Sequence, residues 1–501
     1  MVLSRTLIAE HAVVASEQPL ASMAGYDILK RGGNAFDAAV ATGFALGVTY
    51  HPAGGIGGDF FGMLYDAKAD RVHCINSSGW APSGVGPGLL ASKGYETVPT
   101  YGPVSCVVPG FVAGIHAMHE RLGALPFAGL LGQAEEYARH GFPAGDSLCR
   151  STAATMEHFS PDTMKVFAPS GSAPVPGEWM RQDALADTIA EVAKGGPEAF
   201  YKGWPAESIC EELNHLGVPA KLSDFDFKPE WPAPITLDYR GTVVYEHPPN
   251  SMGATSLLIL RILMDHEMKK TRPLSNERMT ATMEAVEVAY RRRDEELGDP
   301  RFGKFDLAHF LRQEVAPGSP TKKLVGGDTT AFSVTDSDGN IVSGIQSLFN
   351  HWGSRVFIPK AGLMLNNRGA GFNTKGPNVI GPRKRPLHTL SSLLLSKEGR
   401  PTIGIGASGG EFRPLQHALF VTNIVDYGMS VENAVDHPRF LWRGGRSMIA
   451  EQGYEQMGSD RYDMEQLPFP GRTGVSQAVE ASGRYRKGVC DIRGDGIPAG
   501  F

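Results

Sequence analysis

The sequence predicts an α+β fold in which β-sheets are covered by layers of helices. Up to residue 328, many segments carry apolar residues at helical spacing, whereas short strand-like segments dominate the remainder. Sheets must bury their apolar faces, and helical layers can cover them. Hydrophobic residues make up 42% of the chain and charged residues 20%, which is typical of a folded globular protein.

Helices are predicted first near the N-terminus. Arg31–Asn34 separates two helical stretches within residues 22–50. Asn34 is predicted to cap a helix over Ala35 to Leu46, because its side chain can accept hydrogen bonds from the first backbone N–H groups. Asp37 in the first turn favours the helix dipole. Further amphipathic helices are predicted over residues 110–122, 181–195 and 276–297.

A glycine-rich run, Gly54–Gly58, precedes a strand predicted over Phe60 to Tyr65. The run lacks the GxGxxG spacing and the Lys-Ser/Thr pair of phosphate-binding loops. We therefore expect its glycines to permit close backbone packing or a turn.

The part of the chain after residue 328 is predicted to be rich in strands. Ala331 to Thr335 and Ile341 to Ser347 form a predicted hairpin around the turn Asp336–Asn340. The other elements predicted in this part are strands over Gly362 to Leu365, Ser391 to Ser396 and Thr402 to Gly406, and helices over Pro414 to Tyr427 and Val431 to Asp436.

Charge and motif content argue against several classes of function. The net charge of −6 gives no reason to expect nucleic acid or an anionic membrane as partner. No apolar run reaches the roughly 18 residues of a transmembrane helix. The five cysteines stand singly without a CxxC pair, so we expect a reduced, cytoplasmic compartment. No HExxH motif occurs, so we expect no metal. Residues Gly406–Gly410 match the letters GxSxG, but their flanks are not those of a nucleophile elbow.

The segment Gly326–Thr330 suggests a nucleophile. A threonine hydroxyl is weakly nucleophilic and needs an adjacent base. If the chain were cut between Asp328 and Thr329, the freed α-amine of Thr329 would lie beside its own hydroxyl. That amine titrates near about 7.7–8.0, which suits a general base. The other interpretation, favoured by these residues alone, is that they merely begin a strand.

Short motifs along nearly the whole chain carry a family signature. They are Ala15–Ser16, Gly32–Val40, Gly55–Asp59, Val108–Gly110, Arg293–Asp294, Leu297–Pro300, Thr329–Val334, Lys384–Leu387 and Asp495–Phe501. In these motifs and in their order, the chain resembles the γ-glutamyltranspeptidase family. Members are N-terminal nucleophile hydrolases that cleave themselves to expose a threonine.

The resemblance implies a four-layer αββα sandwich that both halves of a precursor build jointly. Residues 1–328 would form the large fragment and residues 329–501 the small fragment. The fragments would stay associated, because separating shared sheets exposes the core. The implied partner is a small-molecule amide, and no cofactor is needed. The family includes monomers, processed heterodimers and dimers of these, so a homodimer stays open.

The same resemblance implies the catalytic residues. Thr329 would attack the Asp328–Thr329 peptide bond first and the substrate amide later. Ser347 takes the place of a family threonine that hydrogen-bonds near the nucleophile. Gly409 and Gly410 match the glycines whose N–H groups form the oxyanion hole, although a plain turn is the other interpretation of this pair.

The residues with which the family holds a glutamyl group are largely replaced. Ser78 stands in place of the arginine that binds the substrate α-carboxylate, and a serine cannot replace a bidentate guanidinium. Gly371 stands in place of the aspartate for the substrate α-amine, and His388 and Thr389 replace two serines. The resemblance therefore implies the same bond chemistry on a different substrate.

Three segments resemble the branch of the family that includes oxamate amidohydrolases and uncharacterised transpeptidase-like proteins. They are Gln346–Leu348, Arg368–Phe372 and Pro386–Thr389. We hypothesise that Arg368 or His388 binds a small acyl carboxylate, with Thr389 and Ser78 in the same binding region. A structural role is the other interpretation of Arg368 and His388.

Three functions follow as hypotheses. The leading one is a self-processing threonine amidohydrolase that acts on a small, non-glutamyl, oxamate-like amide. The first alternative is a glutathione hydrolase or γ-glutamyltransferase, which would release p-nitroaniline from a γ-glutamyl anilide. The second is a non-catalytic paralogue that keeps the fold for binding or assembly, in which the Asp328–Thr329 bond would stay intact.

Overall fold

The computed structural model describes residues 4–312, 324, 327–457 and 461–501. The strands are β1 (Arg5–Ala9), β2 (Val13–Ser16), β3 (Asp59–Asp66), β4 (Arg71–Ser77), β5 (Phe142–Pro143), β6 (Trp179–Met180), β7 (Ile235–Tyr239), β8 (Thr242–Glu246), β9 (Asp328–Thr335), β10 (Ile341–Phe349), β11 (Phe357–Ile358), β12 (Leu363–Met364), β13 (Ser392–Lys397), β14 (Arg400–Ala407), β15 (Phe440–Gly444), β16 (Ser447–Glu451), β17 (Asp463–Leu467), β18 (Ser476–Ala481), β19 (Arg486–Cys490) and β20 (Ala499–Gly500).

The helices lie mostly between these strands. They are α1 (Pro19–Lys30), α2 (Ala35–Thr49), α3 (His51–Gly54), α4 (Pro87–Ser92), α5 (Phe111–Leu122), α6 (Phe127–Leu130), α7 (Gly132–His140), α8 (Asp146–Thr155), α9 (Pro161–Phe167), α10 (Asp183–Tyr201), α11 (Trp204–His215), α12 (Gly253–Leu263), α13 (Asn276–Glu296), α14 (Leu307–Phe310), α15 (Arg413–Val425) and α16 (Val431–Asp436).

Two large sheets form the centre of the molecule. Within the described residues, the first is six-stranded, with the order β20-β2-β9-β10-β3-β4. The second is seven-stranded, with the order β1-β19-β18-β14-β13-β8-β7. Each sheet combines strands that precede residue 328 with strands that follow it. The predicted construction of the fold from both halves of the chain is therefore confirmed.

The buried side chains show the four layers. Along β3, Phe60 and Leu64 belong to the core that contains helices α1, α2 and α5, whereas Phe61 and Met63 face the space between the sheets. The seven-stranded sheet has its own outer core, formed with α12, α13 and α15. This alternation is the period-two pattern of strands buried on both faces. The predicted αββα sandwich is confirmed.

Most of the predicted helices and strands are present, although their first or last residues differ from those predicted. Asn34 caps α2 as expected, and it forms a reciprocal capping box with Asp37. The predicted hairpin is the antiparallel pair β9 and β10. The helix predicted over 181–195 continues to Tyr201 as α10, past a break at Gly196 where the backbone has φ 61°. The predicted strand Gly362 to Leu365 shrinks to the two residues of β12.

The glycine-rich run allows close backbone approach beside the central sheet. A Cβ atom on Gly58 would lie 2.3 Å from the carbonyl oxygen of Ser347, and one on Gly57 would lie 2.2 Å from that of Met364. No larger residue fits at either position without moving the backbone. The close-packing interpretation of this run is confirmed.

The described chain holds no helix long and apolar enough to cross a membrane. All five cysteines are buried thiols without a disulfide partner. Among the described residues, no group of three or more His, Cys, Asp or Glu side chains is placed to hold a metal ion.

Candidate active site

Three polar residues share one face of the six-stranded sheet, on the strands β9, β10 and β3. Ser347 pairs directly with Asp59 across β10 and β3, and the Thr329 hydroxyl contacts the Ser347 hydroxyl from β9. Two residues further along these strands, the same face carries the buried cluster of Ala331, Ile345 and Phe61. Strand alternation therefore directs Thr329, Ser347 and Asp59 into the space between the sheets.

Thr329 and Ser347 form a short hydrogen-bonded chain. Thr329 Oγ1 donates to Ser347 Oγ over 3.1 Å, and Ser347 Oγ donates to the carbonyl oxygen of Asp328 over 3.0 Å. The backbone N–H of Phe349 donates to Ser347 Oγ over 2.7 Å. Both hydroxyl groups are buried. The Ser347 hydroxyl thus links the predicted nucleophile to the carbonyl of the preceding peptide bond.

An irregularity in β10 produces this arrangement. The register with β9 shifts between Gln346 and Phe349, so that Phe349 pairs with Asp328. Phe349 has φ 85°, an unusual backbone conformation for a non-glycine residue. A bulge of this kind changes the direction of nearby side chains and often lies next to an active site. Here it turns the Phe349 N–H toward Ser347 Oγ.

Gly409 and Gly410 lie beside the predicted cleavage position. Their φ angles are 141° and 58°, which favour glycine. A Cβ atom on Gly327 would lie 3.1 Å from the Cα atom of Gly410, so the turn borders the residue before Asp328. A Cβ atom on Gly409 would lie 2.6 Å from the amide of Gln416. Gly326, the first residue of the predicted motif, lies outside the described residues.

The side chain of Asp328 is held by His351, which the sequence analysis did not single out. The His351 backbone N–H donates to Asp328 Oδ2 over 3.2 Å, and its ring Nδ1 lies 3.4 Å from the same oxygen. Unlike the hydroxyl groups, the Asp328 side chain is about half exposed, at 48%. The two sides of the predicted scissile bond therefore differ in their access to solvent.

Asp59 connects the hydroxyl pair to a buried cationic cluster. Its Oδ1 accepts a hydrogen bond from the backbone N–H of Gly79 over 2.7 Å. Its Oδ2 lies 2.9 Å from His388 Nε2 and 3.6 Å from Arg368 Nε. All three side chains are fully buried. Asp59 is the only acidic group among them, so it partly balances the Arg368 charge.

Both ring nitrogens of His388 contact protein atoms. Nδ1 accepts a hydrogen bond from the Leu390 N–H over 3.1 Å, so Nε2 carries the proton and donates to Asp59. Burial, together with the charge of Arg368, lowers the pKa of His388 to about 3. A neutral imidazole with both nitrogens engaged is suited to orienting Asp59. Between the two carboxylate-binding candidates, this geometry favours Arg368.

Arg368 keeps hydrogen-bonding capacity. Its Nη1 donates to Thr389 Oγ1 over 2.9 Å, and its guanidinium carbon lies 4.2 Å from the centre of the Phe349 ring. Nε and Nη2 have no hydrogen-bond partner among the described residues. Burial lowers the pKa of Arg368 to about 10, which leaves it charged near neutral pH. Because Thr389 accepts this bond, its own hydroxyl hydrogen remains for another acceptor.

A cavity of about 540 Å³ opens beside this cluster. Phe349, Gly371 and Thr389 line the side near the hydroxyl pair, while Arg293 and Glu411 line another part. Arg293 is buried and pairs with Glu411 at 3.4 Å. The cavity has the size of a site for a small molecule.

Ser78 lies in a hydrogen-bond network next to the cluster. Its hydroxyl donates to Asn76 Oδ1 over 2.8 Å and contacts the side-chain amide of Asn250. The backbone carbonyl oxygen of Asn250 in turn accepts a hydrogen bond from the backbone N–H of His388. Ser78 is fully buried and does not line the cavity. The structure therefore connects Ser78 to His388 through Asn250.

The fold and these contacts define a class of protein. A buried threonine hydroxyl is linked through a second hydroxyl to the carbonyl of its own preceding peptide bond, inside an αββα sandwich. The class is the N-terminal nucleophile hydrolases, which cleave or transfer amide-linked acyl groups. A family model described as Gamma-glutamyltranspeptidase matches residues 21–501. The chain belongs to this family.

Individual relatives match most or all of the chain. It is 37% identical over 531 residues to the Glutathione hydrolase-like YwrD proenzyme of Bacillus subtilis (strain 168), covering 100% of both proteins. It is 31% identical over 456 residues to the oxamate amidohydrolase proenzyme of Klebsiella pneumoniae, covering 87% of this chain and 85% of that protein. The crystal structure of cephalosporin acylase from Bacillus halodurans matches with a TM-score of 0.91 and 30% identity, covering 99% of this chain and 97% of that one.

Several residues of the site were not assigned by sequence reasoning. Asp59 belongs to one of the family motifs, and that was a signal to consider it. Asn250 and His351 carried no comparable signal. They reach the site from distant parts of the chain, and only the tertiary fold brings them together.

Proposed function

We propose that this protein is a self-processing amidohydrolase whose nucleophile is Thr329 and whose substrate is a small, non-glutamyl amide. The observation that supports the proposal best is the contact of Ser347 with both reacting partners. Its Oγ accepts from Thr329 Oγ1 and donates to the Asp328 carbonyl oxygen. A single hydroxyl therefore orients the nucleophile and polarises the bond it would attack.

Self-cleavage would proceed as an N-to-O acyl shift. Thr329 Oγ1 adds to the carbonyl carbon of Asp328, and its proton passes to the amide nitrogen as the C–N bond breaks. The resulting ester is hydrolysed by water, which releases the Asp328 carboxylate and the free hydroxyl and α-amine of Thr329. Ser347 Oγ would stabilise the developing oxyanion through the hydrogen bond that it already makes.

Substrate turnover would use the newly exposed residue. The α-amine of Thr329 accepts the proton of its own hydroxyl, whose oxygen attacks the substrate carbonyl carbon. The C–N bond then breaks to leave an acyl-enzyme, and the α-ammonium gives its proton to the departing amine. Gly409 and Gly410, which border the cleavage position, would supply backbone N–H groups to the tetrahedral intermediate. Water then releases the acid. The nucleophile, the base and the oxyanion donors of these steps all come from the chain itself.

The residues around the cavity support a non-glutamyl substrate. The arginine that would hold a substrate α-carboxylate is replaced by Ser78, which is buried away from the cavity. Thr389 instead presents a hydroxyl at the cavity, backed by Arg368. The similarity to an oxamate amidohydrolase proenzyme supports a substrate of this small, acidic kind.

A second candidate is a glutathione hydrolase or γ-glutamyltransferase. The similarity to the protein named Glutathione hydrolase-like YwrD proenzyme favours it. A substrate screen distinguishes the two candidates. We expect the aged protein to release ammonia from oxamate or a related small acid amide, and to release little p-nitroaniline from a γ-glutamyl anilide. Rapid p-nitroaniline release, stimulated by dipeptide acceptors, would establish the second candidate instead.

A matched variant gives this screen its control. Thr329→Ala removes the hydroxyl and leaves the backbone unchanged, so any amide release that it retains comes from another source. Activity that is equal in the wild type and in Thr329→Ala would overturn the proposed nucleophile.

A further inference from the structure

A second buried arginine, Arg413, lies close to the site. It is the first residue of α15 and follows the Gly409–Gly410 turn. Its Nε donates to the carbonyl oxygen of Ala407 over 2.6 Å, and its side chain is fully buried. Nη1 and Nη2 make no hydrogen bond with the described part of the chain. Buried N–H donors without acceptors are unfavourable unless an ordered water or a ligand completes them, and a buried guanidinium with two free N–H groups can bind an anion.

The anchors of Arg413 and Arg368 lie on neighbouring chain segments. Arg413 is held at Ala407, the last residue of β14, and Arg368 is held at Thr389, just before β13. The strands β13 and β14 pair antiparallel with Ser392 opposite Gly406, so these ends lie side by side.

Both anchors also border the strand of the nucleophile. A Cβ atom on Gly406 would lie 2.9 Å from the Cβ of Ala331, and Leu390 shares a buried cluster with Ala331. Ala331 is two residues beyond Thr329 on the same face of β9. Both arginines are therefore anchored next to residues that pack against the strand of Thr329 from between the sheets.

Electrostatics agrees with this placement. Burial, together with the positive charge of Arg368, lowers the pKa of Arg413 to about 9. Both arginines also lower the pKa of His388. The nearby carboxylates are shared with other donors. Asp59 accepts from Gly79 and His388, as described above.

Glu246, the acidic group that acts on Arg413, is likewise engaged. One of its oxygens lies 2.5 Å from His417 Nδ1, and the other accepts from the Ser391 hydroxyl over 2.5 Å. Like charges in a buried space repel one another, and an anionic ligand between them would relieve that repulsion. Both arginines have N–H groups without an acceptor. These groups are suited to a carboxylate, which a guanidinium binds with two parallel hydrogen bonds.

Building on the proposed function, we propose that Arg413 and Arg368 together bind a carboxylate on the acyl half of the substrate. The substrate class is then the monoamide of a short dicarboxylic acid, and the products are the dicarboxylate and ammonia or an amine. We place this carboxylate on the acyl half and not on the leaving group, because the acyl half stays bound to the enzyme after the leaving group departs. An enclosed pair of arginines suits the group that stays.

Direct binding of the product acids tests this proposal without relying on turnover. Oxalate, malonate, succinate and glutarate would be titrated calorimetrically into the full-length wild type and into Thr329→Ala. We expect at least one of them to bind both proteins. Arg413→Lys keeps the charge but loses the fork, and we expect it to weaken that binding by about tenfold to a hundredfold. Arg413→Gln is expected to weaken it at least as much.

Arg278→Lys is the matched control. Arg278 is also a fully buried arginine, but it lies on α13 and contacts Thr422 and Asn423. We expect it to leave dicarboxylate binding unchanged, and thermal unfolding would show that each variant is folded. Should Arg413→Gln fail to fold, Arg413→Lys alone decides. Unchanged affinity in Arg413→Lys, or no binding of any of the four acids, would overturn the proposal.

The two proposals fail in different ways. Dicarboxylate binding without any Thr329-dependent turnover would overturn the proposed function and leave the arginine pair standing. Thr329-dependent hydrolysis that is equally fast in Arg413→Lys and that prefers uncharged amides would overturn only the arginine pair.

Discussion

Thr329 and Ser347 meet hydroxyl to hydroxyl, with Oγ1 of the threonine donating to Oγ of the serine over 3.1 Å. The two residues are eighteen positions apart and lie on the two strands of one hairpin. The Ser347 hydroxyl is in turn directed at the Asp328 carbonyl oxygen. In the proposed mechanism, self-cleavage and later catalysis both use this hydroxyl.

Removing that hydroxyl should slow self-cleavage. Ser347→Ala deletes the donor to the Asp328 carbonyl, and we expect the fragments to appear about a hundredfold more slowly, since one oxyanion donor is lost. Ser347→Thr retains the hydroxyl and should restore the rate to near that of the wild type. Gel electrophoresis of purified precursor over time measures both. Equal rates of self-cleavage in Ser347→Ala and in the wild type would contradict the role of Ser347.

Substituting Gly409 should reduce activity strongly. Its φ of 141° is unfavourable for other residues, and a Cβ atom would meet Gln416 at 2.6 Å. We expect Gly409→Ala to lower kcat about 10²- to 10³-fold by misplacing the oxyanion donors. Gly428→Ala is the control, because Gly428 has φ 64° with open space around it. That variant should lose about 1 kcal/mol of stability and keep its activity.

Replacing Arg368 should change substrate affinity and leave self-cleavage intact. Arg368→Lys keeps a positive charge near Asp59 and loses the fork that donates to Thr389. We expect kcat/KM on the acidic amide to fall by about tenfold to a hundredfold, mainly through KM. Steady-state kinetics on fully cleaved protein measures this. An unchanged kcat/KM would assign Arg368 a purely structural role.

Stability should fall as the solution becomes acidic, in part because of His388. Burial lowers its folded-state pKa to about 3, whereas a histidine in the unfolded chain titrates near about 6.5. Above pH 6.5 both states are neutral, so His388 adds no pH dependence there. Between pH 6.5 and 3 the unfolded chain binds an extra proton, and the free energy of unfolding decreases by about 1.4 kcal/mol per pH unit for this residue.

Denaturant unfolding between pH 7.5 and 4.5 measures this slope. The buried His51 and His247 also have lowered pKa values and add to the total. The informative quantity is therefore the difference between the wild type and His388→Gln. We expect the variant to be less stable at pH 7.5. Below pH 6.5, its free energy of unfolding should decrease with falling pH by about 1.4 kcal/mol per pH unit less than that of the wild type. Identical slopes would show that His388 is not a buried neutral imidazole.

The hairpin that carries Thr329 was predictable because the signals for it are local in the sequence. The turn Asp336–Asn340 and the strand propensity around it predict β9 and β10 without tertiary knowledge. The capped start of α2 was predictable from Asn34 and Asp37 for the same reason. The layering of the sandwich came instead from the family resemblance.

The cluster around Asp59 was not predictable in this way. Arg368 and His388 come from separate connecting segments, and their distances from Asp59 depend on how the two sheets stack. His388 was a candidate to bind substrate, yet both of its ring nitrogens contact protein atoms in the structure. The sequence around a histidine does not show which protein groups its ring nitrogens will contact once it is buried.

The decisive measurement is the intact mass of aged, purified protein under denaturing conditions, with sequencing of the smaller fragment's N-terminus. We predict fragments of about 35 and 19 kDa, in proportion to residue number, with the smaller beginning at Thr329. Thr329→Ala should remain one chain. A wild-type chain that stays uncut, or one that is cut at another bond, would contradict Thr329 as the N-terminal nucleophile.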